Sequence, residues 1–208
     1  MSQKDVLLIF VKNPILGSVK TRLGETIGNR QALEVYLKLL YYTKNNIEKL
    51  NCEKKVCYDK FVDERDIWNN SIFFKQKQTN GSLGNRMKAA FQAEFINNAN
   101  KVVIIGSDCP EITPDIINQA FLKLDTHNTV IGPATDGGYY LLGMREFIPE
   151  VFENKSWSTS TVKDDTIKDL NYLNKKYYIL PFLQDIDTEE DYKRFKSWLD
   201  TVSINYKY

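Results

Sequence analysis

The sequence predicts an α/β fold: a mainly parallel sheet with helices on both faces. Three observations carry this reading. Residues 6–11 and 102–105 are short, continuous apolar runs, as in strands covered on both sides. Other segments repeat apolar residues at helical spacing. The two kinds alternate along the chain, the pattern of parallel strands joined by helical crossovers. A length of 208 residues suits one compact domain spanning 1–208 and is enough to bury a sizeable core.

The elements follow in order. The run Val6-Leu-Leu-Ile-Phe-Val11 is the first strand, and residues 12–28 read as a loop. Residues 30–50 place Leu33, Tyr36, Leu37, Leu40 and Ile47 at roughly helical spacing. Strands are expected at 54–59 and 72–75, and a helix over 82–95 with Leu83, Met87, Ala90, Phe91 and Phe95 inward. Residues 102–105 form the next strand. Thr113 and Pro114 suit the cap and first position of a helix. Strands are expected at 129–131, 139–144 and 177–183, with a helix over 160–173 between the last two. Thr188-Glu-Glu-Asp191 resembles a capping box, with Asp in place of Glu or Gln, and opens a final amphipathic helix.

Composition narrows the function. Lysine and arginine number 28 against 27 acidic residues, so the basic excess of a nucleic-acid-binding protein is absent. The first apolar run is too short to span a membrane and has no signal-peptide cleavage pattern. Three cysteines, Cys52, Cys57 and Cys109, form no CxxC pair, which argues against a disulfide framework or a zinc site and suits a reducing cytoplasm. The single histidine, His127, lies in a polar stretch that reads as an exposed turn; one histidine excludes His-rich metal sites, and the lack of a Gly-x-Ser-x-Gly elbow argues against Ser-His-Asp hydrolysis. The chemistry must rest on carboxylates, lysines, arginines and backbone groups. No apolar patch in the sequence marks an oligomer interface.

In open α/β sheets ligands bind beyond the carboxyl ends of the strands, and the unusual residues fall there. After the first strand comes Lys12-Asn-Pro-Ile-Leu-Gly-Ser-Val-Lys-Thr-Arg-Leu23. Pro14 and Gly17 shape a turn, while Lys12, Lys20 and Arg22 can meet anionic oxygens. It lacks the second glycine of a Walker A loop, and its plain alternative is a solvated basic loop. Gly106-Ser-Asp-Cys-Pro110 places Asp108 at a strand end, as a ligand for Mg²⁺ or Mn²⁺ or as a turn cap. In Gly132-Pro-Ala-Thr-Asp-Gly-Gly-Tyr-Tyr140, Asp136 is either a general base or acceptor-binding group, or simply part of an Asp-Gly hairpin turn. Gln78-Thr-Asn-Gly-Ser-Leu-Gly-Asn-Arg-Met87 runs into a helix N-terminus, where Gly81 and Arg86 suit an anion and Ser82 suits a cap. Trp157 followed by four hydroxyl residues reads as a lid. Asp187 is either a second metal ligand or the residue before a helix cap.

Taken together, and over nearly the whole chain, these six segments resemble an uncharacterised bacterial glycosyltransferase family, DUF2064-like and of the arsenosugar-biosynthesis type, within the nucleotide-diphospho-sugar transferase superfamily. The resemblance implies a GT-A-like fold, a Rossmann-like sheet with one reversed strand. It also implies a nucleotide-sugar or NTP donor and a small-molecule acceptor. By this analogy Lys12, Gly17, Lys20, Arg22, Gly81 and Arg86 would bind the donor. Asp108 and Asp187 would hold Mg²⁺ or Mn²⁺, and Asp136 and Lys20 would act in the chemistry. The first loop also resembles that of the guanylyltransferase that activates phospholactate in cofactor F420 synthesis, so nucleotidyl transfer stands beside glycosyl transfer. A third alternative is a nucleotide-binding protein without turnover. Glycosyltransferases of this fold often carry Asp-x-Asp, and no carboxylate follows Asp108 by two positions.

Overall fold

A computed structural model describes residues 4–157 and 159–204. Its strands are β1 (Asp5–Val11), β2 (Glu53–Tyr58), β3 (Phe73–Lys77), β4 (Lys101–Ile105), β5 (Thr129–Pro133), β6 (Tyr139–Met144) and β7 (Tyr177–Ile179). The helices are α1 (Thr21–Ile27), α2 (Asn29–Ile47), α3 (Leu83–Ile96), α4 (Pro114–Lys123), α5 (Val162–Tyr172) and α6 (Glu189–Thr201).

All seven strands form one sheet in the order β3-β2-β1-β4-β6-β5-β7. β1 pairs in parallel with β2 and β4, β2 with β3, and β5 with β7. β6 runs antiparallel between β4 and β5, so the sheet has the one reversed strand that the resemblance implies. The reversal follows from the short turn that joins β5 to β6. Ala134 accepts from Gly137 N (3.1 Å) and donates to Gly138 O (3.1 Å), which turns β5 straight back into β6.

The pleat of β1 divides the core. Leu7, Ile9 and Val11 face α2 and α4, while Val6 and Leu8 face α3 and α5. A third cluster joins α1, α2 and α6 through Leu23, Val35, Leu39, Ile186 and Leu199. The caps at Ser82 and Thr113 form as the sequence predicts, and so does the capping box of Thr188 and Asp191.

Three expectations are corrected. Residues 12–28 are not loop throughout, since α1 occupies seven of them. Only Leu23 and Ile27 mark its inner face, too short a stripe to register as periodic, and packing against α2 and α6 supplies the rest. β7 is three residues long, not seven. Pro181 has no N–H for the ladder, although the chain rejoins β5 where Leu183 N donates to Pro133 O (3.1 Å). His127 is half-buried and not free in solvent. Its Nδ1 lies 3.0 Å from Lys123 O at the end of α4.

No helix among the described residues is long and apolar enough to cross a membrane. Leu8 is fully buried at the centre of the sheet. Leu8→Ala is expected to destabilise the protein by about 2–5 kcal/mol, read as a lower urea midpoint at unchanged slope.

Candidate active site

The site is built where the parallel strands end. Tyr36 of α2 reaches the loop after β1, its hydroxyl accepting from Lys12 N (2.8 Å) and donating to Lys12 O (3.0 Å). The same hydroxyl lies 3.3 Å from Ser107 Oγ, so one buried phenol joins the loops after β1 and β4. Burial raises its pKa and keeps it a neutral donor. Asn13, also buried, accepts from Lys60 N and Phe61 N and donates to Phe61 O. Together these bonds hold the first loop open in a defined shape instead of leaving it to collapse.

The loops after β4 and β7 are joined to each other. Ile186 N donates to Asp108 O (3.4 Å), and Gln184 N to Glu111 Oε2 (2.8 Å). The capping carboxylate Asp191 accepts from both Thr188 N (2.8 Å) and Asp187 N (3.0 Å). The cap of α6 therefore also aims Asp187.

Between these loops lies the centre of the site. Lys20 donates from Nζ to Asp187 Oδ1 at 2.7 Å and to Asp108 Oδ2 at 3.2 Å. Its side chain is 4% exposed, while those of Asp108 and Asp187 are 40% and 43% exposed towards the cavity. Burial works against the ammonium, but Asp108, Asp187 and Asp185 outweigh it and raise the Lys20 pKa. Burial likewise opposes ionisation of Asp108, and the Lys20 charge, with Lys12 beyond it, prevails and holds Asp108 below the usual carboxylate range. Lys20 sits in the left-handed region at φ 47°, ψ 45°. That conformation costs a non-glycine residue about 1–3 kcal/mol and is characteristic of functional sites.

Asp185 completes the cluster. Its Oδ1 is buried with no hydrogen-bond partner. Burial, then the charge of Asp108, raises its pKa well above the usual range. No three His, Cys, Asp or Glu side chains among the described residues converge into a ready metal cage. The donor set nonetheless fits a hard divalent cation in kind, with carboxylate oxygens and one orphaned acceptor around a single cavity.

That cavity encloses about 500 Å³. Part of its wall is aromatic. The Trp157 indole stacks on Phe152 (6.4 Å between centroids, 16°) and meets Tyr139 edge-on (6.4 Å, 88°). It lies directly on Gly84, where a Cβ would come within 2.1 Å of the indole. Gly137, at φ +91°, lets the 134–138 turn press on the backbone of Ser160, which a Cβ would meet at 2.1 Å.

Lys12, Lys20, Arg22, Arg86, Asp108, Asp136 and Asp187 all line this one cavity. Arg86 donates to Gln78, and its buried Nε has no partner. Asp136 is exposed at the rim, with Oδ1 accepting from Gly138 N at 2.9 Å, so the hairpin turn and the cavity wall are one structure. Gly17 and Gly81 do not line the cavity; they turn the backbone at φ +73° and +118°. Of the expected lid, Trp157 and Thr159 line the cavity, and Ser158 lies outside the described residues. Sequence reasoning missed two residues. Tyr36 carried only a helical-spacing signal. Asp185 was legible as the first residue of Asp185-Ile-Asp187, an Asp-x-Asp placed after the last strand and not after β4.

Two outcomes follow. Gly84→Ala should push Trp157 off its seat, seen as a change in Trp157 fluorescence absent from a Trp157→Phe background. Asp185 has a raised native pKa, so it favours folding below the unfolded carboxylate range and costs stability as pH rises through the native value. Asp185→Asn should therefore raise the melting temperature at pH 7 and flatten its dependence on pH above 4.

The sequence profile of the family described as uncharacterized protein conserved in bacteria (DUF2064) matches residues 43–159. Among solved structures, the chain is similar to a protein of Desulfovibrio desulfuricans G20 assigned as a nucleotide-diphospho-sugar transferase. The two are 27% identical with a TM-score of 0.83, over 98% of this chain and 100% of the other. The fold is shared with 4-diphosphocytidyl-2C-methyl-D-erythritol synthase of Anaerococcus prevotii DSM 20548, at 12% identity and a TM-score of 0.58 over 95% and 96% of the chains. It is shared too with Rv0371c of Mycobacterium tuberculosis H37Rv in complex with manganese, at 11% identity and a TM-score of 0.53 over 93% and 98%. No curated protein matches the sequence. With a profile match over more than half its length and a full-length structural likeness, the chain belongs to the DUF2064 family and has the fold of the nucleotide-diphospho-sugar transferases.

Proposed function

We propose that this chain is a divalent-metal-dependent transferase that moves a glycosyl group from a nucleotide-sugar to a small-molecule acceptor. One observation carries the reading: the Lys20–Asp108–Asp187 cluster and the aromatic pair Tyr139 and Trp157 line one and the same cavity. The reaction needs both halves. Charge develops on a departing nucleoside diphosphate, and fixed cations aimed at it lower the barrier. Lys12, Lys20, Arg22 and Arg86 border the same space and serve that purpose. Asp108 and Asp187, with the orphaned oxygen of Asp185 as a third donor, would hold Mg²⁺ or Mn²⁺, which supplies Lewis-acid neutralisation of the diphosphate. Tyr139 and Trp157 offer faces to a sugar or base ring. Asp136 stands at the rim as the base that takes the acceptor hydroxyl's proton. The full-length likeness to a protein assigned as a nucleotide-diphospho-sugar transferase supports the donor class.

A specific arrangement favours a second reading, nucleotidyl transfer from an NTP to a phosphorylated small molecule. The position two after Asp108 is Pro110, and the paired aspartates lie instead at 185 and 187. An acceptor phosphate is already ionised and needs no base, in keeping with an Asp136 whose Oδ1 caps its own turn. The fold shared with a diphosphocytidyl-transferring synthase points the same way.

The experiment is a thermal-shift screen against nucleotide-sugars and NTPs with Mg²⁺ or Mn²⁺, followed by identification of the co-product. A ligand at about a hundred times its Kd adds about 2.7 kcal/mol of stability. Release of nucleoside diphosphate establishes glycosyl transfer, and release of pyrophosphate establishes nucleotidyl transfer. Binding with neither product leaves a nucleotide-binding protein. Asp108→Asn is expected to lower turnover by about 10²–10³-fold, and unchanged turnover would remove Asp108 from the chemistry.

A further inference from the structure

One oxygen of each carboxylate that would hold a divalent cation is already engaged. Lys20 Nζ is 2.7 Å from Asp187 Oδ1 and 3.2 Å from Asp108 Oδ2. An ammonium at those distances fills the space between the two carboxylates. A metal ion bound to both would stand against Nζ in a site where like charges repel strongly. The lysine cannot simply share the site, because its side chain is 4% exposed and is held within the cluster. It lines the cavity that Lys12 and Arg22 also border, and that cavity is where donor phosphates would draw it. Asp185 Oδ1 is buried beside this cluster with no hydrogen-bond partner.

We propose that Lys20 is a resident counter-ion that competes with the divalent cation for Asp108 and Asp187, so that metal is admitted together with the donor's phosphates and not ahead of them. The inference rests on the metal-dependent reading above and adds an order of assembly to it. Lys20 bridges the two carboxylates and neutralises their repulsion until donor arrives. Donor phosphates draw the ammonium into the cavity, and the vacated oxygens, with Asp185, take the metal. Lys20 is thus a positioning residue before it is a phosphate ligand, and the cluster is electrostatically closed until substrate arrives.

The test is a titration of the full chain with Mn²⁺ in the absence of nucleotide, free Mn²⁺ being read by electron paramagnetic resonance. Lys20→Met is expected to bind one Mn²⁺ about tenfold or more tightly than the wild type, because the competing charge is gone. Equal affinity in the two proteins overturns the competition while leaving metal-dependent transfer standing. Failure of both to bind Mn²⁺, with or without inorganic tripolyphosphate, overturns the competition and the metal assignment together. Should the variant not fold, wild-type protein gives the second readout. Acetylation of Lys20 by acetic anhydride, followed by peptide mass spectrometry, is expected to be slow in metal-free protein and to rise severalfold at saturating Mn²⁺. Labelling that does not respond to Mn²⁺ also overturns the proposal.

Discussion

A buried ammonium between two carboxylates organises this molecule's functional end. Lys20 comes from the loop after β1, Asp108 from the loop after β4, and Asp187 from the segment leading into α6. Three stretches far apart in sequence meet at one positive charge. Burying that charge is costly unless it is paired and hydrogen-bonded. The surrounding structure arranges the pairing through Tyr36, through the Ile186–Asp108 backbone bond and through the α6 cap that also holds Asp187. Loss of any one of these contacts would loosen the other two loops.

The cluster works against stability in two places. Lys20 has a left-handed backbone, and Asp185 is a buried carboxyl facing like charges with an unpartnered oxygen. The sheet supplies the compensation, with Leu7, Leu8 and Ile9 fully buried at its centre and helices on both faces. Strain that persists because a rigid frame over-determines it is the signature of a site built for a ligand and not for its own stability.

The reversed strand shapes the other half of the cavity. Because β5 returns at once as β6, Asp136, Tyr139 and Tyr140 are delivered to the same rim as Asp108. The turn then presses on Ser160, and Trp157 presses on Gly84 at the start of α3. Backbone-to-ring and backbone-to-backbone contacts of this closeness leave no room for a Cβ. One glycine in the first turn of α3 and one in the hairpin turn are thereby fixed by packing, in addition to φ at Gly137.

By itself the sequence determined the strands, most helices, their caps and the placing of unusual residues after strands. These follow from local periodicity and turn chemistry, which neighbouring residues specify. The basic first loop, Asp108, Asp136 and Asp187 were legible because they follow strands, although turn and cap chemistry accounts for each aspartate locally as well. The tertiary structure alone decided that Lys20 is buried against Asp108 and Asp187 and not exposed with Arg22, that Asp185 is an orphaned member of the cluster, that Tyr36 joins two loops, and that Gly17 and Gly81 stand back from the cavity. It alone made residues 21–27 helical, since two apolar side chains reveal no period until α2 and α6 pack on them. The difference is physical: periodicity is a property of a segment, whereas burial and charge pairing depend on which distant segments the sheet brings together.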